Sequence, residues 1–116
     1  MINIFSSSRY KINRKKIIST ISDFFGKKNI NEANIVNIAF VGKNKMKKLA
    51  ITYKNESVAL PVLSFPYHEK QDNNILIGEI FICYPQAVLL AAERNKKVDE
   101  TIENLLIHGL ENLIKE

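Results

Sequence analysis

His108 and Asn112 stand four residues apart in the closing stretch NLLIHGLENLIKE (104–116). A helix turns about 100° per residue, so positions four apart share a face. One helix presents two ligands to a metal ion in this way. An imidazole is a good zinc ligand and a carboxamide a poor one, so the pair supplies one strong donor where a catalytic zinc takes three from the protein. By spacing alone His108 reads as a half-buried histidine with one hydrogen bond. Glu111 and Glu79 are the acids to weigh as substitute donors, although Glu111 points about 60° away from His108 on a helical wheel. His68, in the polar run HEKQDNN, reads as solvated. Cys83 ends an apolar run and reads as a small core residue.

A second set of residues suits a polyanion. The run KNKMKK brings Lys43, Lys45, Lys47 and Lys48 together, with Lys54 further on. Such lysines can track a phosphate backbone, and each contact adds to the salt dependence of binding. Tyr10 and Tyr53 flank basic residues and could stack on bases. The charge distribution supports this reading. Residues 1–54 carry twelve Lys/Arg against Asp23 and Glu32, a net of +10, while residues 55–116 carry five against ten acids, a net of −5. A mutational bias toward Lys, Asn and Ile accounts for the preference for Lys over Arg, but not for the crowding into one half. That crowding points to nucleic acid. The plainer alternative is a protein-binding module whose lysines reflect composition. The four glycines are isolated, so there is no phosphate-cradling glycine motif.

The elements that must position these residues follow from periodicity. INIF (2–5) reads as an opening strand. Residues 12–26 space Ile12, Ile17, Ile18, Ile21, Phe24 and Phe25 as a helix, with Gly26 at its C-terminal end. NIVNIAFVG (34–42) alternates as a strand. Lys43 to Lys54 fits a helix with Met46, Leu49, Ala50 and Tyr53 on one stripe. ALPVLSFP (59–66) is a strand that Pro61 assigns to an edge, and 68–74 reads as a loop. ILIGEIFIC (75–83) is the most apolar run and the expected central strand. Pro85 opens a helix reaching about Asn95. Asp99 is placed to cap a last helix, with Glu100 and Glu103 in its first turn and Ile102, Leu105, Leu106, Gly109 and Leu113 on its apolar stripe. The expected fold is α+β: one domain over 1–116, a four-stranded mixed sheet surrounded by helices, order β-α-β-α-β-β-α-α.

A chain of 116 residues is long enough to fold without disulfides or metal. Its one cysteine fits a reducing compartment. No apolar run reaches the ~20 residues of a membrane span, and the N-terminal stretch lacks the basic-then-apolar order of a signal peptide. A cytoplasmic location without membrane contact is the expectation.

VLSFP (62–66), GEIFIC (78–83) and His108-Gly109, with thirty positions between Gly78 and His108, resemble the YbeY family, metal-dependent endoribonucleases of bacterial small-subunit rRNA maturation. That family reads VLSFP, then G-D-[IL]-V-I-C, then H-G-x-L-H-L-x-G-x-D-H. The match covers Thr52 to Glu116 at motif level, and TYKNESVALPVLSFP keeps the interval from the family's Tyr-Arg to its Pro. The resemblance implies zinc as cofactor, His108 as first ligand, rRNA or the small ribosomal subunit as partner, and a ribosomal protein or a GTPase as a further one. The sequence departs from the pattern where that chemistry is done. Asn112 holds the second ligand position and Glu111 replaces the leucine before it. The third ligand position falls at 118, past the last residue given. Lys54 holds the family's catalytic Arg position and loses the planar fork that grips phosphate in two places. Glu79 replaces the Asp of Gly-Asp, and Leu60-Pro61 the Thr-Asp before VLSFP. The expected function is therefore an rRNA-maturation factor that binds RNA or the small subunit, with impaired or lost zinc-dependent nuclease activity. The alternative is an active metallo-endoribonuclease with a rebuilt site.

Overall fold

Alternation in IVNIAFV gives β2 (Ile35–Val41) two faces, with Val36, Ile38 and Phe40 all buried on one of them. The same side is continued by Ile80 and Ile82 of β4 (Asn74–Cys83), which pairs with β2 in parallel. β1 (Ile2–Phe5) adds to the other side of β2, also in parallel, and β3 (Val62–Gln71) runs antiparallel along β4. The resulting sheet has the order β1-β2-β4-β3, so β3 is an edge as expected, although it starts at Val62 and Pro61 stands just before it. The computed structural model describes residues 1–115. The helices are α1 (Arg14–Lys27), α2 (Lys43–Lys54), α3 (Tyr84–Glu93) and α4 (Val98–Ile114), in the expected order of elements.

The helices divide between the two faces of the sheet. Ile17, Ile21, Phe24 and Phe25 of α1 join Ile102, Leu105, Leu106, Leu110 and Leu113 of α4 over Val36, Ile38, Phe40, Ile80 and Ile82. Each such side chain contributes roughly 1.5–3 kcal/mol by leaving water, which makes this face the main stabilising layer. Leu110, absent from the expected stripe, is fully buried in it. On the opposite face α2 alone sets Met46 and Ala50 against Leu63 and Cys83.

Three local expectations are corrected. Residues 68–71 continue β3 instead of forming a loop, and β4 begins at Asn74, leaving a turn at Asp72 and Asn73. Asp72 takes the left-handed conformation, with φ 56°, that this short turn needs. The described residues around it are polar because the hairpin tip is solvated. α1 begins after Asn13, whose side chain accepts from the Lys16 amide, and it runs past Gly26. Asn29, with φ 56°, takes the left-handed position that the sequence assigned to glycine. Asp99 lies inside the first turn of α4 instead of capping it, and Lys97 is the N-cap.

α4 sits close to the sheet because two glycines permit it. A Cβ on Gly109 would meet Ile80 Cγ2 at 3.0 Å and Ser64 Oγ at 3.1 Å. A Cβ on Gly78 would press into Leu113 and lie 2.7 Å from the Phe65 carbonyl oxygen. The Ser64 hydroxyl donates to the Gly109 carbonyl at 3.0 Å, tying the helix to the edge strand beside His108.

Candidate functional site

Where α4 crosses β3, and where α2 ends, the surface forms a cleft of about 460 Å³. α4 contributes His108 and Asn112, α2 contributes Lys54, the following loop Glu56, and β3 Ser64 and Pro66. Sequence spacing put His108 and Asn112 together. Only the tertiary structure brings Lys54 to them from more than fifty residues away. His108 is exposed, which corrects the half-buried reading: it projects from the solvent edge of α4 while its neighbour Gly109 makes the close approach.

The donor set decides what the cleft could hold. One imidazole, one carboxylate (Glu56) and one carboxamide (Asn112) line it. Among the described residues, no group of three or more His, Cys, Asp or Glu side chains stands close enough to hold a metal ion. These residues therefore do not make the three-donor set of a catalytic zinc.

The acids considered as substitutes lie elsewhere. On β4, Gly78 and Ile80 face α4, so Glu79 between them faces the other side of the sheet. There it accepts a hydrogen bond from the Tyr67 hydroxyl at 3.0 Å. Burial, and then that bond and the Glu79 charge, push the Tyr67 phenol above its ordinary value. Glu111 lines a separate concavity with Lys27 and Lys28. His68 is exposed on β3. Cys83 is fully buried beneath α2, and burial pushes its thiol up against the lowering effects of the Gln86 backbone and Lys43. It is the small core residue that the sequence expected.

The lysines split into two groups along α2. Lys54 stands in the cleft, Lys43 and Lys45 line a second concavity at the opposite end of the helix, and Lys47 and Lys48 are exposed between them. The ion pairs among the described residues are Lys16–Glu103 at 3.5 Å and Lys96–Glu100 at 3.9 Å, so none of these five lysines has a carboxylate partner there. Tyr53 is 62% exposed and meets Phe65 edge-on at 4.8 Å, so it is a surface ring and not a core one.

The sequence pattern of a family described as Endoribonuclease YbeY matches residues 3–114. The chain belongs to the YbeY family. An Endoribonuclease YbeY of Thermodesulfovibrio yellowstonii is 32% identical over 107 residues, covering 86% of this chain and 67% of that protein. One of Phytoplasma australiense is 32% identical over 72% of this chain and 60% of that protein. One of Ehrlichia canis is 28% identical over 97% of this chain and 75% of that protein. The chain thus spans about two thirds of the length of these YbeY relatives. The solution structure of a Thermotoga maritima protein shares the fold, with a TM-score of 0.65 at 24% identity, over the whole of this chain and 73% of that one. Two residues lining this cleft escaped the sequence reading. Ser64 is hidden in VLSFP as a strand position, and Glu56 lies in the loop after α2; neither spacing nor motif signals that they share a wall with His108.

Proposed function

We propose that this YbeY-family chain is an rRNA-maturation factor that binds RNA of the small ribosomal subunit and lacks the tight zinc site of an active nuclease. The observation that carries this reading is the lining of one cleft by Lys54, His108 and Asn112 while Glu79 and Glu111 face elsewhere. In this reading Lys54 is a phosphate contact, His108 a contact to the RNA strand, and Lys43, Lys45, Lys47 and Lys48 extend the backbone-tracking surface. Among the described residues no helix is long and apolar enough to cross a membrane, which fits a partner met in solution.

The test is zinc per chain in protein purified without chelator, beside His108→Ala, together with RNA binding with and without EDTA. Little zinc in either protein, and RNA binding indifferent to EDTA, is the expected result. Near one zinc per chain, lost on His108→Ala, would overturn it. The second reading, an active metallo-endoribonuclease with a rebuilt site, draws on Glu56 standing in the same cleft as His108. It requires RNA cleavage that EDTA abolishes and that both His108→Ala and Glu56→Gln impair.

A further inference from the structure

β1 and β2 are neighbours in the sheet, yet the chain leaves their carboxyl ends toward opposite faces. After β1 it enters α1, which packs with α4, and after β2 it enters α2 on the other face. In open α/β sheets such a divergence leaves a crevice at the strand ends, the usual place for a ligand. Here the crevice has a volume of about 670 Å³. Arg9 and Tyr10 follow β1, Gly42, Lys43 and Lys45 follow β2, and Pro85 follows β4. It is distinct from the His108 cleft and shares no lining residue with it.

Four features give the crevice its chemistry. Its lining holds three cations and no acid, and none of the three has a carboxylate partner among the described residues. Tyr10 stacks on Tyr84 with ring centres 4.8 Å apart and planes 19° from parallel. The Tyr84 hydroxyl fixes that pair by donating to the Lys11 carbonyl at 3.0 Å. The Arg9 guanidinium carbon lies 5.6 Å from the Tyr10 ring centre, so charge and aromatic surface are contiguous. Gly42 admits the Tyr10 hydroxyl, since a Cβ there would stand 3.1 Å from it. Unpaired cations beside an aromatic pair suit a phosphate carrying an unstacked base.

We propose that this crevice is a second anchoring site for the RNA strand, taking a phosphate on Arg9, Lys43 and Lys45 and a neighbouring base against the tyrosine pair. The proposal rests on the RNA-binding reading above and adds to it a fixed direction of travel. From Lys43 to Lys54 α2 rises roughly 17 Å. A single strand held at both ends therefore runs along the helix past Lys47, and its register at the His108 cleft is set by the crevice. The acid-free lining favours RNA over a protein partner, whose surface would place carboxylates and apolar groups together.

The experiment measures the affinity of single-stranded oligouridylate across a salt series by fluorescence anisotropy. It compares the native chain, the Arg9→Glu/Lys45→Glu double variant, and a Lys27→Glu/Lys28→Glu control with the same change in net charge at the far end of α1. All four side chains are exposed, and circular dichroism checks the folds. Loss of two single-strand phosphate contacts should flatten the log–log salt slope by about 1.4 in the crevice variant, and the control should leave it unchanged. In parallel, NMR should show the Tyr10 and Tyr84 ring protons shifting with oligouridylate. Native binding with an unchanged slope in the crevice variant overturns the crevice and leaves the RNA reading intact. No RNA binding by the native chain overturns both. Uridine monophosphate shifting the rings at the same concentrations as the oligomer overturns the strand proposal in favour of a free-nucleotide site. Equal shifts with polyglutamate overturn it in favour of an acidic protein.

Discussion

At its carboxyl end α2 delivers Lys54 to a cleft that also holds Glu56, His108 and Asn112, whereas at its amino end it delivers Lys43 and Lys45 to a crevice without an acid. The two ends use different physics. A metal site is a matter of donor identity and geometry, so one carboxamide in place of an imidazole changes what it can bind. A phosphate surface depends on summed charge, so lysine can replace arginine at a graded loss. A chain whose basic residues are mostly lysine can keep the second kind of site while the first changes.

Five substitutions and one labelling experiment would break or sharpen that contrast. The largest effect is expected from Asn112→His, which gives the cleft a second imidazole on the same helical face as His108. A four-ligand zinc site is worth ~10–16 kcal/mol, so one added ligand is worth about 3 kcal/mol, or roughly two orders of magnitude in zinc affinity. Isothermal titration should show this gain, and an unchanged zinc affinity would mean that the two positions do not converge. Gly78→Ala attacks the seat of α4 from the sheet. The added methyl meets Leu113 and the Phe65 carbonyl, at a cost of about 1–3 kcal/mol by urea melting. The cleft should loosen with it, while the crevice, built on strands and loops at the other end of α2, should keep its tyrosine stack by NMR.

Lys54→Ala should flatten the salt slope for single-stranded RNA by about 0.7 and leave thermal stability alone. Gly26→Ala has the opposite sign from the other glycine change. It lies inside α1 with nothing within 4 Å of an added Cβ, so it should stabilise by ~0.5–1 kcal/mol. The smallest effect concerns Cys83. Its folded thiol titrates above the ordinary 9.0, so it should resist iodoacetamide in the native state. The unfolded thiol ionises first as pH rises past 9.0, so folding stability should decline above that pH, and Cys83→Ala should remove that decline.

Periodicity and residue type determined much of this protein. Alternation in IVNIAFV marked one strand, the apolar run ILIGEIFIC marked a central one, Pro61 pointed to an edge, and the lysine-backed stripe of Met46, Leu49, Ala50 and Tyr53 set α2 to the residue. These are local signals, and local hydrogen bonding and one-sided burial obey them. The helical turn likewise fixed His108 and Asn112 on one face. Where a polar run met a strand the signal failed: residues 69–71 pair with β4 although Glu69 and Lys70 are exposed, because backbone pairing does not require an apolar side chain. The left-handed positions fell to Asn29, Asn55, Asp72 and Asn95, residues whose short polar side chains tolerate that conformation almost as glycine does. Tertiary structure alone decided which charges meet. Strand pleating turned Glu79 away from His108, the crossing of α4 over β3 brought Lys54 and Glu56 to it, and divergence of the chain after β1 and β2 joined Arg9 to Lys45. Such encounters are set by register and crossover between distant elements, and no spacing along the chain encodes them.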